Sequence, residues 1–94
     1  MKINIVGCGL SGVVAAVILQ AKGHSVEIFE TRPHIGGNCY DSLLNGVRVH
    51  NYGPHIFHTN DDEVWDFVNR YTSFNGFNLK VEARTPCKLS LIHI

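Results

Sequence analysis

Apolar and β-branched residues are grouped in short runs separated by glycines through the first thirty positions. Residues 2–6 form one such run, which ends at Gly7 and predicts a buried parallel strand. Within residues 11–22, apolar residues lie on most sides of a helix. This pattern predicts a helix that is covered by the rest of the protein on most of its faces. Gly23 is placed to end this helix just past its C-cap, and residues 25–29 predict a second strand. Strand, helix and strand in this order form a βαβ unit.

A hairpin signal, a second helix and a third kind of strand follow. Asn45-Gly46 lies between two apolar runs and favours a type I′ hairpin turn, because both residues accept a positive φ. Residues 60–71 carry apolar side chains at helical spacing, with Asn60 as the predicted N-cap and Glu63 at the capping-box position. Apolar and polar side chains alternate along residues 77–84, which predicts a strand with one solvent-exposed face.

The last ten residues follow none of these patterns. They end on an apolar stretch for which the sequence offers neither a cap nor a partner. We therefore divide the chain into residues 1–84, the N-terminal part of one domain, and residues 85–94, a divergent tail that we interpret as the product of a truncation or a frameshift.

The amino-acid composition excludes several classes of protein. Ninety-four residues, 45% of them hydrophobic, are enough for one small domain with a modest core. The formal net charge is zero and basic runs are absent from the sequence, which argues against nucleic-acid binding. The apolar stretches fall far short of the ~20 residues that a membrane-spanning helix needs. Three widely spaced cysteines argue against a disulfide scaffold, so we expect a cytoplasmic protein without membrane insertion.

Residues 7–12 carry the strongest chemical signal in the chain. Their sequence, G-C-G-L-S-G, matches the G-x-G-x-x-G fingerprint, follows a predicted strand and opens a predicted helix. Gly7 permits a tight turn, Gly9 lets the backbone approach a pyrophosphate, and Gly12 lets helix and strand pack closely. The helix N-terminus offers free N–H groups to the anion. Glu30, at the end of the second strand, is placed to accept hydrogen bonds from ribose hydroxyls and to repel a 2′-phosphate.

A second glycine pair indicates which dinucleotide is bound. Gly36-Gly37 follows soon after the acidic residue, with Arg32 nearby. Such a pair lets a second stretch of backbone close over the diphosphate. An extended cofactor needs more than one contact of this kind, so the pair favours FAD over NAD.

Two longer motifs carry a family resemblance. Residues 32–40 read R-P-H-I-G-G-N-C-Y, and residues 51–60 read N-Y-G-P-H-I-F-H-T-N. Both resemble the N-terminal part of bacterial UDP-galactopyranose mutases, and the resemblance runs from Lys2 to about Arg84. Asn38 is specific to it, since related flavin amine oxidases and desaturases usually carry arginine after the glycine pair. The resemblance implies an α/β fold with a Rossmann-like FAD/NAD(P)-binding βαβ unit, followed by a β-hairpin, a helix and a strand.

The resemblance also implies an activity. These mutases are FAD-dependent isomerases that interconvert UDP-galactopyranose and UDP-galactofuranose, which supplies cell-surface polysaccharide biosynthesis. N5 of the reduced flavin is thought to attack the anomeric carbon, expelling UDP and forming a sugar adduct that recloses with the other ring size. The implied partner is a UDP-sugar. The resemblance is also compatible with a homo-oligomer of the full-length protein. Because the family's substrate-binding residues lie downstream of this chain, we expect the chain alone to bind FAD weakly or not at all and to be inactive.

Site residues follow from the fingerprint and the resemblance together. His55 is the candidate catalytic residue, since it matches a histidine beside the flavin ring. The candidate FAD-binding residues are Gly7, Gly9, Leu10, Ser11, Gly12, Glu30, Thr31, Arg32, Gly37, Asn38, His55 and Ile56.

Other interpretations of the same residues stay open. His50, His55 and His58 suggest a metal site, but neither a helical H-x-x-x-H nor a cysteine pair accompanies them, so we predict no metal. Two other functions compete with the isomerase. One is a flavin oxidoreductase of the amine-oxidase type, which would consume oxygen. The other is an inactive nucleotide-binding remnant.

Overall fold

The computed structural model describes residues 1–84 and 89–93. They fall into two units, Met1–His55 and Ile56–Ile94. The elements, in chain order, are β1 (Lys2–Val6), α1 (Leu10–Ala21), β2 (Ser25–Phe29), a short 3-10 helix (Gly37–Cys39), β3 (Asp41–Leu44), β4 (Val47–His50), α2 (Asp62–Asn69), β5 (Lys80–Arg84) and β6 (Leu89–His93).

The first unit opens with the predicted βαβ arrangement. β1 and β2 have the predicted bounds and pair in parallel, with Lys2 opposite Ser25 at one end and Val6 opposite Phe29 at the other. α1 connects the two strands and packs against both of them. This arrangement confirms the expected fold class.

Burial in this unit is lower than the sequence predicts. Among the residues whose burial the structure describes, Cys8 alone is buried, with 7% of its surface exposed. Side chains of β1 and β2 alternate between half-buried and exposed, and no residue of α1 is buried. The predictions of a buried strand, a helix covered on most faces and a modest core are therefore wrong for this part of the chain. The physical reason is that one helix covers one face of a two-stranded sheet and leaves the opposite face to solvent.

The C-terminal end of α1 follows the predicted glycine signal. Gly23 has a φ of +88°, and its N–H donates to the carbonyl of Gln20 at 3.0 Å. The N–H of His24 donates to the carbonyl of Leu19 at 3.1 Å. These two bonds form a Schellman motif, which satisfies carbonyls that the helix leaves without partners.

The hairpin also forms as predicted. β3 and β4 are antiparallel, and Leu44 pairs with Val47 across the turn. Asn45 and Gly46 have φ values of +51° and +79°, as a type I′ turn requires.

The start of α2 departs from the prediction by one residue. Asp61, rather than Asn60, is the N-cap, and its carboxylate accepts hydrogen bonds from the N–H groups of Glu63 at 2.9 Å and Val64 at 3.1 Å. Glu63 is thus the second residue of the helix and not the third, so the predicted capping box is wrong. An ionised carboxylate satisfies two N–H groups at the positive end of the helix dipole, which favours Asp61 over the neutral amide.

The rest of the second unit contains a strand pair. The predicted strand over residues 77–84 begins only at Lys80, and β5 pairs with β6 in antiparallel register. The expectation that the last ten residues lack a partner is therefore wrong for residues 89–93. The boundary at residue 84 stays a prediction.

The fold also bears on cysteine pairing and on membranes. Cys8 and Cys39 are free thiols, whereas Cys87 lies outside the described residues. In the part of the chain that the structure covers, neither helix has the length and apolar character needed to cross a membrane.

Candidate functional site

The glycine loop, residues 7–12, joins β1 to α1 and requires glycine at Gly7 and at Gly12. Gly7 has a φ of +99°, and its N–H donates to the carbonyl of Phe29 at 2.7 Å, which ties the loop to the end of β2. A Cβ on Gly12 would lie 2.1 Å from the carbonyl oxygen of Gly7 and 3.5 Å from Cγ2 of Ile5. The first turn of α1 therefore packs directly on the loop, as the roles of these two glycines predict.

Gly9 lies at the start of α1. It is the N-cap, with an ordinary φ of −77° and no side chain to satisfy the N–H groups of the first turn. The nearest atom to a Cβ placed on Gly9 would be Cα of Gly37, 4.0 Å away. Leu10 and Ser11 follow in the first turn, which contains no acidic residue. A diphosphate fits here because its oxygens can accept from these N–H groups and benefit from the helix dipole.

Glu30 lies directly after β2 and holds the glycine loop from the other side. Its Oε2 accepts from the backbone N–H of Cys8 at 2.6 Å. Its Oε1 accepts from the backbone N–H of Arg32 at 2.9 Å and from Oγ1 of Thr31 at 3.4 Å. The backbone N–H of Arg32, followed by that of Cys8, lowers the pKa of the Glu30 carboxyl because both bonds favour the charged form. Oε2 accepts one bond and keeps a lone pair for a further donor, such as a ribose hydroxyl, whereas Oε1 already accepts two.

The second glycine pair lies against the glycine loop. The N–H of Gly36 donates to the carbonyl of Cys8 at 2.8 Å. A Cβ on Gly37 would lie 3.0 Å from Cα of Gly9, and both Gly36 and Gly37 have positive φ values. The structure thus brings together two glycine segments that are nearly thirty residues apart in sequence. Their approach requires glycine at Gly37.

Arg32 and Asn38 are also brought together. Nη1 of Arg32 donates to Oδ1 of Asn38 at 2.9 Å. The guanidinium carbon of Arg32 lies 4.4 Å from the centroid of the Tyr52 ring. Tyr52 in turn bonds through its hydroxyl to Nε2 of His34 at 2.7 Å, and His34 stacks on Tyr40 with the ring centroids 3.8 Å apart.

These three aromatic residues were not among the predicted site residues. Tyr40 and Tyr52 belong to the two longer motifs, and this was the sequence signal that could have identified them as site residues. Nothing in the spacing of those motifs indicates that the ring of Tyr52 meets Arg32. The contact depends on how the hairpin of β3 and β4 returns the chain.

The remaining predicted residues are not joined to this site. His55 and Ile56 lie in an irregular stretch between β4 and α2, and the boundary between the two units falls between them. Among the described residues, no hydrogen bond joins either one to the glycine loop. The flavin-adjacent role of His55 therefore stays a prediction. Within residues 1–84 and 89–93, no group of three His, Cys, Asp or Glu side chains is placed to hold a metal ion.

Comparison with known proteins matches the same region. The family model described as "NAD(P)-binding Rossmann-like domain" covers residues 5–71. The chain is 45% identical over 84 residues to "dTDP-fucopyranose mutase" of Escherichia coli and 48% identical over 84 residues to "Probable UDP-galactopyranose mutase" of Klebsiella pneumoniae. Each alignment covers 87% of this chain and 22% of the relative. This chain is also 31% identical over 88 residues to "Probable zeta-carotene desaturase" of Synechococcus elongatus. That alignment covers 90% of this chain and 18% of the relative.

These matches confirm three predictions made from the sequence. They confirm the resemblance to UDP-galactopyranose mutases, the Rossmann-like fold class and the expected cofactor, FAD. The mutases are isomerases by name, which agrees with the enzyme class that we predict. The chain spans about a fifth of their length, 22%.

Proposed function

Because the chain belongs to the family of NAD(P)-binding Rossmann-like domains, we propose that its glycine loop binds the diphosphate of FAD. The observation that carries this proposal is the uncapped N-terminus of α1 at Gly9, where the nearest atom to an added Cβ would be Cα of Gly37, at 4.0 Å. Glu30 then binds the adenosine ribose, since its carboxylate lies beside the loop and Oε2 keeps a free lone pair. Leu10, Ser11 and Gly12 contribute the backbone N–H groups of the first turn.

The second glycine pair supports FAD over a nicotinamide dinucleotide. Gly37 approaches Gly9 so closely that a Cβ would contact its Cα, and this places a second backbone segment at the same diphosphate site. Thr31, Arg32 and Asn38 continue that segment towards the flavin side. His55 is the candidate flavin-adjacent residue in this proposal.

The activity that we propose for the whole protein is the interconversion of UDP-galactopyranose and UDP-galactofuranose, in the cytoplasm. Two mutases whose names specify different sugars and nucleotides match this segment almost equally, at 45% and 48% identity. A segment that two enzymes share at this level carries out a function common to both. We infer that this function is binding the cofactor and not recognising the sugar. When bound and reduced, the flavin supplies a nucleophilic N5 for the anomeric carbon. The residues of this chain hold and orient its ADP half.

A chimera tests this proposal. In the Klebsiella pneumoniae relative, the 84 aligned residues are replaced by the matching residues of this chain. We expect the chimera to purify with bound FAD and to convert UDP-galactofuranose into UDP-galactopyranose under reducing conditions. The matched control carries Gly9→Val in the grafted segment and should lose FAD. A folded chimera without FAD, or one that binds FAD without isomerising the sugar, would overturn the proposal.

The similarity to a desaturase keeps one oxidative alternative in view. Asn38 argues against the oxidative function, because amine oxidases and desaturases usually carry arginine at this position. In this chain the amide oxygen of Asn38 accepts a hydrogen bond from Arg32 instead. Oxygen consumption separates the two functions. The chimera should isomerise the sugar without net uptake of oxygen, whereas an oxidoreductase would consume oxygen in proportion to turnover.

A further inference from the structure

The side chain of Arg32 is held from two sides. Its Nη1 donates to Asn38 at 2.9 Å, and its guanidinium carbon lies 4.4 Å from the centroid of the Tyr52 ring. A cation within about 6 Å of an aromatic ring centroid is attracted by the electrons of the ring face. A guanidinium has five N–H donors, and the bond to Asn38 uses one of them. Within the described part of the chain the other four have no hydrogen-bond partner, so they can bind an anion.

The position of Arg32 places this cation beside the glycine loop. Its backbone N–H binds Glu30, which also binds Cys8 of the loop. Its side chain binds Asn38, which follows Gly37, the residue that approaches Gly9. Both ends of Arg32 are thus tied to residues that border the proposed diphosphate site.

We propose that Tyr52 is a positioning residue for this site: its ring holds the Arg32 guanidinium in place to bind the diphosphate of the cofactor. The inference rests on the proposed function of the glycine loop. An unrestrained arginine loses rotamer freedom when it binds an anion, whereas one already held against a ring loses less. Tyr52 therefore raises affinity for the diphosphate without touching it.

A chain of hydrogen bonds fixes the Tyr52 ring. Nδ1 of His34 lies 3.0 Å from the carbonyl of Ile35, which can only accept, so Nδ1 carries the proton. In the neutral imidazole Nε2 is then an acceptor, and the Tyr52 hydroxyl, 2.7 Å away, donates to it. Donation from the hydroxyl makes the ring richer in electrons and a better partner for the cation. The stacked ring of Tyr40 holds His34 in turn.

Calorimetric titration of the chimera described above with ADP, after its FAD has been removed, tests the inference, and each substitution is made in the grafted segment. Tyr52→Leu should weaken ADP binding about two- to fivefold, the factor that an exposed cation–π contact supplies. Tyr52→Phe keeps the ring and should stay closer to the wild type. Adenosine, which lacks the diphosphate, should bind Tyr52→Leu as well as it binds the wild type. Tyr71→Leu, which removes a tyrosine packed on Phe67 instead, is the matched control and should change neither affinity.

The outcomes separate this inference from the proposed function. If the folded chimera without further substitution does not bind ADP, both are overturned. If Arg32→Met weakens ADP binding and Tyr52→Leu does not, only the role of Tyr52 is overturned. Equal losses for ADP and adenosine would show a purely structural role and would also overturn it. In an Arg32→Met background, Tyr52→Leu should cause no further loss.

A second measurement needs no substitution. The Cδ protons of Arg32 should resonate upfield of those of Arg48, because they lie near the face of a ring, and should stay there when ADP is bound. Arg32 shifts that match those of Arg48 would contradict the contact.

Discussion

The carboxylate of Glu30 accepts a hydrogen bond from the backbone N–H of Cys8 at 2.6 Å, between the end of β2 and the glycine loop. The fingerprint predicts Glu30 as a ribose ligand only. Glu30 also ties the glycine loop, which contains Gly9, to the end of β2. One residue thus connects the geometry of the loop to recognition of the ribose.

Glu30→Gln should weaken ADP binding about tenfold, because a neutral amide forms weaker hydrogen bonds with both the loop and the ribose than a carboxylate does. It should also reduce the preference for ADP over its 2′-phosphorylated analogue, since the repelling charge is gone. Calorimetric titration with both ligands measures the two effects. Glu27→Gln is the control: Glu27 pairs with Lys2 on exposed surface, so both affinities should stay unchanged. An unchanged ligand preference in Glu30→Gln would contradict the assignment.

The lowered pKa of Glu30 predicts how the stability depends on pH. A carboxyl whose pKa is lower in the folded than in the unfolded state adds stability above its ordinary value of 4.5. That contribution is lost as the pH falls through the folded-state value. The difference in Tm between the wild type and Glu30→Gln should therefore be constant at neutral pH and shrink in acid. Thermal unfolding followed by circular dichroism checks this, and a difference that grows as the pH falls would show the wrong sign.

Gly9→Ala should separate binding from folding. The methyl group meets no atom closer than 4.0 Å and φ is −77°, so the free energy of unfolding should change by less than about 1 kcal/mol. The same methyl group occupies the space that we assign to the diphosphate, so ADP affinity should fall about tenfold or more. Urea denaturation and ADP titration measure the two effects. Full ADP affinity in this variant would place the diphosphate elsewhere.

Gly12→Ala should impair both properties. Its Cβ would lie 2.1 Å from the carbonyl oxygen of Gly7, a backbone atom that cannot move aside. Overpacking of this kind costs about 1–3 kcal/mol of folding free energy. Ser11→Ala, one position earlier on an exposed face, should cost less than about 0.5 kcal/mol. Urea denaturation compares the two variants, and equal stabilities would show that the contact between helix and loop is not tight.

Local patterns predicted the parts of the fold that depend on local chemistry. Glycines that need a positive φ, at Gly7, Gly23 and Gly46, marked the loop, the helix end and the hairpin turn correctly. The choice of Asp61 over Asn60 as N-cap was missed because both residues are good caps, and the pattern alone gave no weight to the carboxylate charge that favours Asp61.

Features that depend on distant partners could not be predicted in this way. The exposure of α1 depends on what packs against it, which apolar content alone does not specify. The contact between Arg32 and Tyr52 bridges twenty positions and arises only once the hairpin has formed. The pairing of β6 with β5 is likewise a property of two segments together.

The most direct test of the central claim is an amide NMR titration of the FAD-free chimera with ADP, with the grafted segment isotopically labelled. If the diphosphate binds at the junction of β1 and α1, the largest shift changes should fall on the backbone amides of residues 9–12, and Gly9→Ala should abolish them. Changes concentrated in α2, or none at high ADP concentration, would contradict the claim.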